Sequence, residues 1–232
     1  DNHGHFVTFA YTYEVGSTTW PTVDGSEAWN QWYPSLHTTV WSLGQYAWSG
    51  SGISRISLLF PYITWQAISF ASCSAALAWM AGDLAQRVLP GVTQKRRTAL
   101  GALAFVLTAL FFTLGSPALM FNAGFVNFVM GVTAVTLCSY FSVRSTQSAL
   151  TLGWFLVPVG AIVSINLWTP LVLGIVPAGV VVLIALFRSN RVTASIWLVF
   201  TAVIAGYLAI TQAQAIIRPG SSASELNSEI GA

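Results

Sequence analysis

The sequence predicts an all-α fold: a polytopic membrane helix bundle of about six transmembrane helices, with an outer amphipathic-helix segment. Three observations predict it. Only 7% of the 232 residues are charged and 55% are hydrophobic, whereas a soluble domain carries roughly 25% charge. Mean hydropathy is +0.68. Six apolar runs recur along the chain, each near the ~20 residues that a helix needs to cross ~30 Å of hydrocarbon. A soluble enzyme domain and a disordered chain are excluded by the same figures. The formal net charge of +2 is too small and too dispersed for a phosphate-backbone footprint, so no nucleic-acid partner is expected.

Residues 1–14 read as a helix. At about 100° per residue, Asp1, His5, Thr8 and Thr12 share one stripe, and Phe6, Phe9, Ala10 and Tyr13 form another. Such a helix can lie on a membrane surface with its aromatic side down. Residues 15–34 read as loop, punctuated by Gly16, Pro21, Gly25 and Pro34. A second helical stretch follows over about 35–48, with His37, Trp41, Gly44 and Trp48 at helical spacing. Tryptophan at this level is also what an interfacial anchor looks like.

The apolar runs cover about 58–82, 98–115, 118–142, 149–167, 170–187 and 192–217. Lipid offers backbone groups no water to bond, so each crossing run must be helical. The run 170–187 is the shortest and carries Pro177 inside it. Breaks fall at Pro90-Gly91, Gly115-Ser116-Pro117, Thr169-Pro170 and Ser189-Asn190. Cys73 and Cys138 both lie inside apolar runs, read as small membrane-helix residues and suggest no disulfide.

Basic residues orient the bundle. If residues 1–56 are extracytoplasmic, the inner loops hold Arg87, Lys95, Arg96, Arg97, Arg144, Arg188 and Arg191, and only Arg55 and Arg218 stay outside. The expected division is therefore an extracytoplasmic segment over 1–56, a transmembrane bundle over 57–217 and a flexible extracytoplasmic tail over 218–232. The expected location is the plasma membrane. Asp83 sits four residues before Arg87, a spacing that predicts a helix-end ion pair.

Candidate chemistry concentrates in the outer segment. Asp1, Glu14, Asp24 and Glu27, with all three histidines, lie in the first 37 residues. Asp1 stands one helical turn from His5. Each also has a plain structural reading: a capping or solvated acid, a surface histidine, a histidine packing the second helix. Arg55 reads equally as a snorkelling flank of the first crossing. Asn122, Asn127 and Asn166 suit interhelical hydrogen bonds, and Asn122 and Asn127 lie toward the outer half of their run.

The residues Asp1-Asn2-His3-Gly4-His5 and Tyr33-Pro34-Ser35-Leu36-His37 resemble the start of the GT-C fold membrane glycosyltransferases that use polyprenyl-phosphate sugars. In that family a first transmembrane helix ends in an acidic residue on the outer face. A surface amphipathic helix, a loop and a Tyr-Pro…His segment follow. The similarity covers mainly residues 1–60. It implies that the first helix lies upstream of Asp1 and that this chain is a fragment of a longer protein. Many such proteins also carry a C-terminal soluble domain, which the fragment reading leaves outside this sequence. The resemblance implies Asp1 as catalytic base; His5 beside it can orient that carboxylate or the acceptor, and His37 can reach the same cavity from the second helix. A cation must also meet the donor phosphate: of the two basic residues on the outer side, Arg55 and Arg218, Arg55 begins a crossing at headgroup depth and is the candidate, with Tyr33 and Asn122 as further substrate-binding candidates. The implied partners are a polyprenyl-phosphate sugar, a glycan or glycoprotein acceptor and the lipid bilayer. Some members use a divalent metal ion with the acidic group and others do not, so the cofactor stays open.

Three other readings stand beside this one. Asp1, His3, His5 and His37 are a nitrogen and oxygen set that suits copper or zinc. On a helix, however, His3 and His5 diverge by about 200°. A transporter or flippase marks its path with ionisable groups inside the membrane, and these crossings hold none beyond Asp83 at an edge. A non-catalytic membrane scaffold explains the low charge but not the clustering of acids and histidines.

Overall fold

The computed structural model describes residues 2–16, 36–88, 91–146 and 151–217. Their regular structure is α-helical, with short 3-10 segments and no strand among the described residues. Two helices, α1 (Asn2–Val15) and α2 (Leu36–Ser49), precede the bundle. The bundle comprises α3 (Leu59–Arg87), α4 (Gln94–Leu114), α5 (Ser116–Asn122), α6 (Val126–Ser145), α7 (Leu156–Trp168), α8 (Val176–Ser189) and α9 (Arg191–Ile217).

Five helical stretches are long and apolar enough to cross a membrane: Ile56–Arg87, Gln94–Asn122, Val126–Ser145, Gly153–Ser189 and Arg191–Ile210. Their outward faces carry Phe60, Ile63, Phe111, Leu114, Ile196 and Val203, all well exposed. Apolar surface on that scale belongs against lipid. The chain is a multi-pass membrane protein.

The fourth stretch has 37 residues, about 55 Å of helix against ~30 Å of hydrocarbon. It resolves the length by doubling back. A 3-10 segment, Thr169–Ile175, joins α7 to α8. A methyl at Gly160 in α7 would fall 2.6 Å from Ile175 Cδ1, and one at Gly179 in α8 would fall 3.4 Å from Val157. The two halves are therefore antiparallel neighbours, and among the described residues these five stretches run along the bundle in six passes. Pro177 lies in the first turn of α8, where its missing N–H removes no helical hydrogen bond. It starts this helix rather than interrupting it.

Other run boundaries shift. The run expected over 118–142 does not cross as one helix. Its first part is α5, and the crossing begins at Val126 after a turn at Gly124. The helices α3 and α4 pair antiparallel: the Phe70 and Phe112 rings meet tilted at 44° with centroids 4.9 Å apart, and a methyl at Gly82 would meet the Gly101 carbonyl at 3.0 Å. Small residues let these backbones approach closely.

The alternation of direction gives the bundle two unlike ends. Arg87, Lys95, Arg96, Arg97, Arg144, Arg188 and Arg191 fall at helix termini of one end, here the basic end. The other, capped end carries α1 and α2. One apolar core joins them to the bundle through Phe9, Trp41, Leu58, Tyr62, Phe121 and Val126. A second core, with Val135, Val157, Ile175, Val182 and Trp197, binds α6 to α9.

The first helix does not lie flat on lipid as its stripes suggest. Phe9, Ala10 and Tyr13 are buried in the protein core, and so are His5 and Thr12 from the polar stripe. Both stripes are used for packing. The Tyr13 hydroxyl donates to the Gly50 carbonyl, and Ser42 Oγ donates to the Phe9 carbonyl at 2.9 Å. These bonds tie α1 to α2 and to the chain just beyond it.

A histidine pair under the cap as the candidate functional site

Helical spacing on α2 sends His37, Trp41 and Gln45 to one buried face. The helix α1 lays His5 and Phe9 against it. The two imidazoles meet edge to face, ring centroids 4.7 Å apart and planes at 76°. Trp41 stands edge-on to His37 at 5.2 Å, and Tyr62 of α3 stands edge-on to Trp41 at 5.7 Å. The Trp41 indole N–H donates to Ser69 Oγ at 2.8 Å. Trp65 Nε1 donates to Gln45 Oε1 at 3.2 Å, which fixes α2 against α3.

The bundle contributes the turn between α5 and α6. His5 Nε2 lies 3.0 Å from the Gly124 carbonyl, a geometry that requires the proton on Nε2. Gly124 has φ of 93°, in the left-handed region that glycine tolerates best. That conformation aims its carbonyl at α1. Next to it, Asn127 is fully buried and its Oδ1 accepts from the Phe128 N–H at 3.0 Å.

His37 is different. It is 1% exposed, and neither ring nitrogen has a hydrogen-bond partner among the described residues. Burial holds its basicity well below the usual imidazole range, and the neighbouring His5 pushes it further the same way. Burial also lowers His5, while the bond to the Gly124 carbonyl opposes the shift. At neutral pH both rings are uncharged.

The structure brings together His5 and His37, two of the expected site residues. Asp1 and Tyr33 lie outside the described residues, as do Pro34, Ser35, Asp24, Glu27 and the tail with Arg218. Arg55 is exposed, just before the 3-10 turn that opens α3, at the capped end. Asn122 is exposed at the end of α5, two residues before Gly124. Asn166 bonds within its own helix, its Nδ2 donating to the Ile162 carbonyl at 2.8 Å, rather than across to a neighbour. Glu14 is exposed at the far end of α1 from His5. Among the described residues no three His, Cys, Asp or Glu side chains converge as a metal would need. The histidine pair alone supplies two nitrogens, too few for a closed site. Cys73 and Cys138 are free thiols.

A second polar cluster sits at the basic end. Asp83 accepts from Arg87 Nε at 2.6 Å and Nη2 at 3.1 Å, the ion pair that their spacing predicts. Two groups from α6 join it. The Tyr140 hydroxyl donates to Asp83, and Arg144 Nη1 stands 3.4 Å from the same carboxylate. Tyr140 and Arg144 share a helix face four residues apart, a signal present in the sequence, though not one that names Asp83 as their partner.

No protein-family model matches the chain, and comparisons with curated proteins and with solved structures found no similar protein. Fold and site together define a multi-pass, all-α membrane protein whose two leading helices cap one end over a buried histidine pair.

Proposed function

We propose that this chain belongs to a membrane glycosyltransferase that moves a sugar from a polyprenyl-phosphate donor to a cell-envelope acceptor at the outer face. One observation carries the reading. His5 and His37, one histidine from each of the two segments that resemble the GT-C enzymes, meet under one cap at the end of the bundle opposite the basic end. Under the positive-inside rule the capped end is extracytoplasmic.

The chemistry needs a base and a cation. The acceptor hydroxyl loses its proton to a carboxylate as its oxygen bonds the sugar C1. The C1–O bond to phosphate breaks, and its electron pair leaves with the phosphate. Asp1, four residues before His5 in the sequence, is the base in this scheme. His5 spends its N–H on the Gly124 carbonyl, so its Nδ1 is left as an acceptor that orients the acceptor hydroxyl, and neutral His37 braces His5. Arg55 meets the departing phosphate charge. Tyr33 and Asn122 are the remaining substrate-binding candidates. No step is assigned to a metal ion.

The test is transfer from radiolabelled polyprenyl-phosphate sugars in membranes that hold the full-length gene product. Asp1→Asn is expected to abolish transfer at normal expression. Unchanged transfer in that variant removes Asp1 from the chemistry. Absence of transfer from every donor in wild type defeats the enzyme reading.

A further inference from the structure

At the basic end α3, α6 and α8 leave a furrow of about 520 Å³ between them. Met80, Leu84, Val143 and Val181 form its apolar walls, and Arg87 and Arg144 stand at its mouth. A second cavity of about 380 Å³ shares Met80 and Thr136 with it and reaches Pro117 and Met120 of α5. The apolar track therefore continues along α3 and α6 toward the capped end.

Charge is unbalanced at the mouth. One carboxylate, Asp83, faces two guanidinium groups. Arg87 spends Nε and Nη2 on it. Arg144 turns only Nη1 toward Asp83 and the Tyr140 hydroxyl, at 3.4 and 3.3 Å, so its Nε and Nη2 donors stay available among the described residues. Its carbon Cζ lies 5.9 Å over the Tyr140 ring, which steadies the group. Ser139 Oγ, buried in the furrow lining, also lacks a hydrogen-bond partner among the described residues. Both arginines occupy the last turn of their helices, where a membrane span meets the headgroup layer.

We propose that this furrow is a binding site for an anionic glycerophospholipid. Its phosphate sits on Arg144 and Arg87, and one acyl chain runs along Met80, Leu84 and Val181. Charge complementarity selects the occupant. The mouth carries one uncompensated positive charge, and the walls offer an apolar chain continuous contact. A zwitterionic lipid brings its own cation to the arginines and gains less. Basic pockets between transmembrane helices hold anionic head groups by this logic. The inference is independent of the glycosyl-transfer reading, because the site lies at the opposite end of the bundle.

Native mass spectrometry of the full chain, with stepwise addition of dioleoyl phosphatidylglycerol or dioleoyl phosphatidylcholine, tests it. Phosphatidylglycerol is expected to bind more tightly, and Arg144→Gln to cost about fivefold in its affinity, the worth of one basic residue at the surface. Arg144→Lys is expected to recover part of that loss. Val181→Trp fills the furrow without touching a charge, and is expected to lose the same lipid even where the Arg144 variant fails to fold. Equal affinity for the two lipids overturns the proposal. So does a preference that survives Arg87→Gln with Arg144→Gln, or displacement of phosphatidylglycerol by lower concentrations of a polyprenyl phosphate.

Discussion

Lowering the pH should loosen the cap. The perturbation is a shift from pH 7.5 to 5.5. His37 is buried between His5 and Trp41 with both nitrogens unpartnered among the described residues, and its basicity is lowered from the ordinary value of 6.5. The undocked histidine therefore binds a proton at a pH where the docked one does not. Docking keeps its full stability above pH 6.5 and loses it as pH falls below that value. The loss levels off once the pH passes below the lowered value of the docked ring. One unit below 6.5, a histidine held neutral costs about 1.4 kcal/mol, a tenfold change in the docking equilibrium. His5 adds a smaller share in the same direction, because its bond to Gly124 opposes the shift. Hydrogen exchange of the full chain in nanodiscs reads this directly, as protection factors corrected for intrinsic rates. Protection over α1 and α2 should fall about tenfold at pH 5.5, while α6 holds, and His37→Phe should remove most of the fall. Protection unchanged within twofold over α1 and α2 would refute the reasoning.

Three substitutions probe the packing, each read by thermal or denaturant unfolding in micelles. Gly124→Ala forces a side chain onto φ of 93° and should cost about 1–3 kcal/mol. It should also displace the carbonyl that holds His5. Gly82→Ala places a methyl 3.0 Å from the Gly101 carbonyl oxygen; backbone cannot rotate aside, so α3 and α4 must separate, at about 1–3 kcal/mol. Trp197→Phe keeps an aromatic ring but loses the bond from Nε1 to the Trp154 carbonyl at 2.9 Å, which should cost about 1 kcal/mol.

Much of the fold was legible because membrane helices write their constraints in composition. Apolar runs marked the crossings, and the arginines and Lys95 marked one end. The 37-residue stretch was readable as two passes because Thr169-Pro170 supplies a break. The start of α6 was harder. Hydropathy does not distinguish Ser116–Asn122 from the crossing after it, and only the backbone turn at Gly124 separates them. The role of α1 was misjudged for a related reason. A stripe of Phe6, Phe9 and Tyr13 looks the same whether it meets lipid or protein, and the contact with α2 and Tyr62 is long-range information. At the site, clustering of histidines in the leading segment pointed to His5 and His37, and the second stretch was placed close to Leu36–Ser49. That they touch depends on the fold of α1 onto α2 and α6. The Gly124 carbonyl left no trace in the sequence, since a backbone acceptor has no residue type.

The central claim joins a capped outer end to sugar transfer, and sided vesicles test both at once. The measurement is transfer from a water-soluble, short-chain polyprenyl-phosphate sugar in right-side-out and inverted vesicles that carry the full-length gene product. Transfer is expected in right-side-out vesicles, lost with Asp1→Asn and reduced with His5→Ala. Transfer confined to inverted vesicles, or absent from both, contradicts the claim.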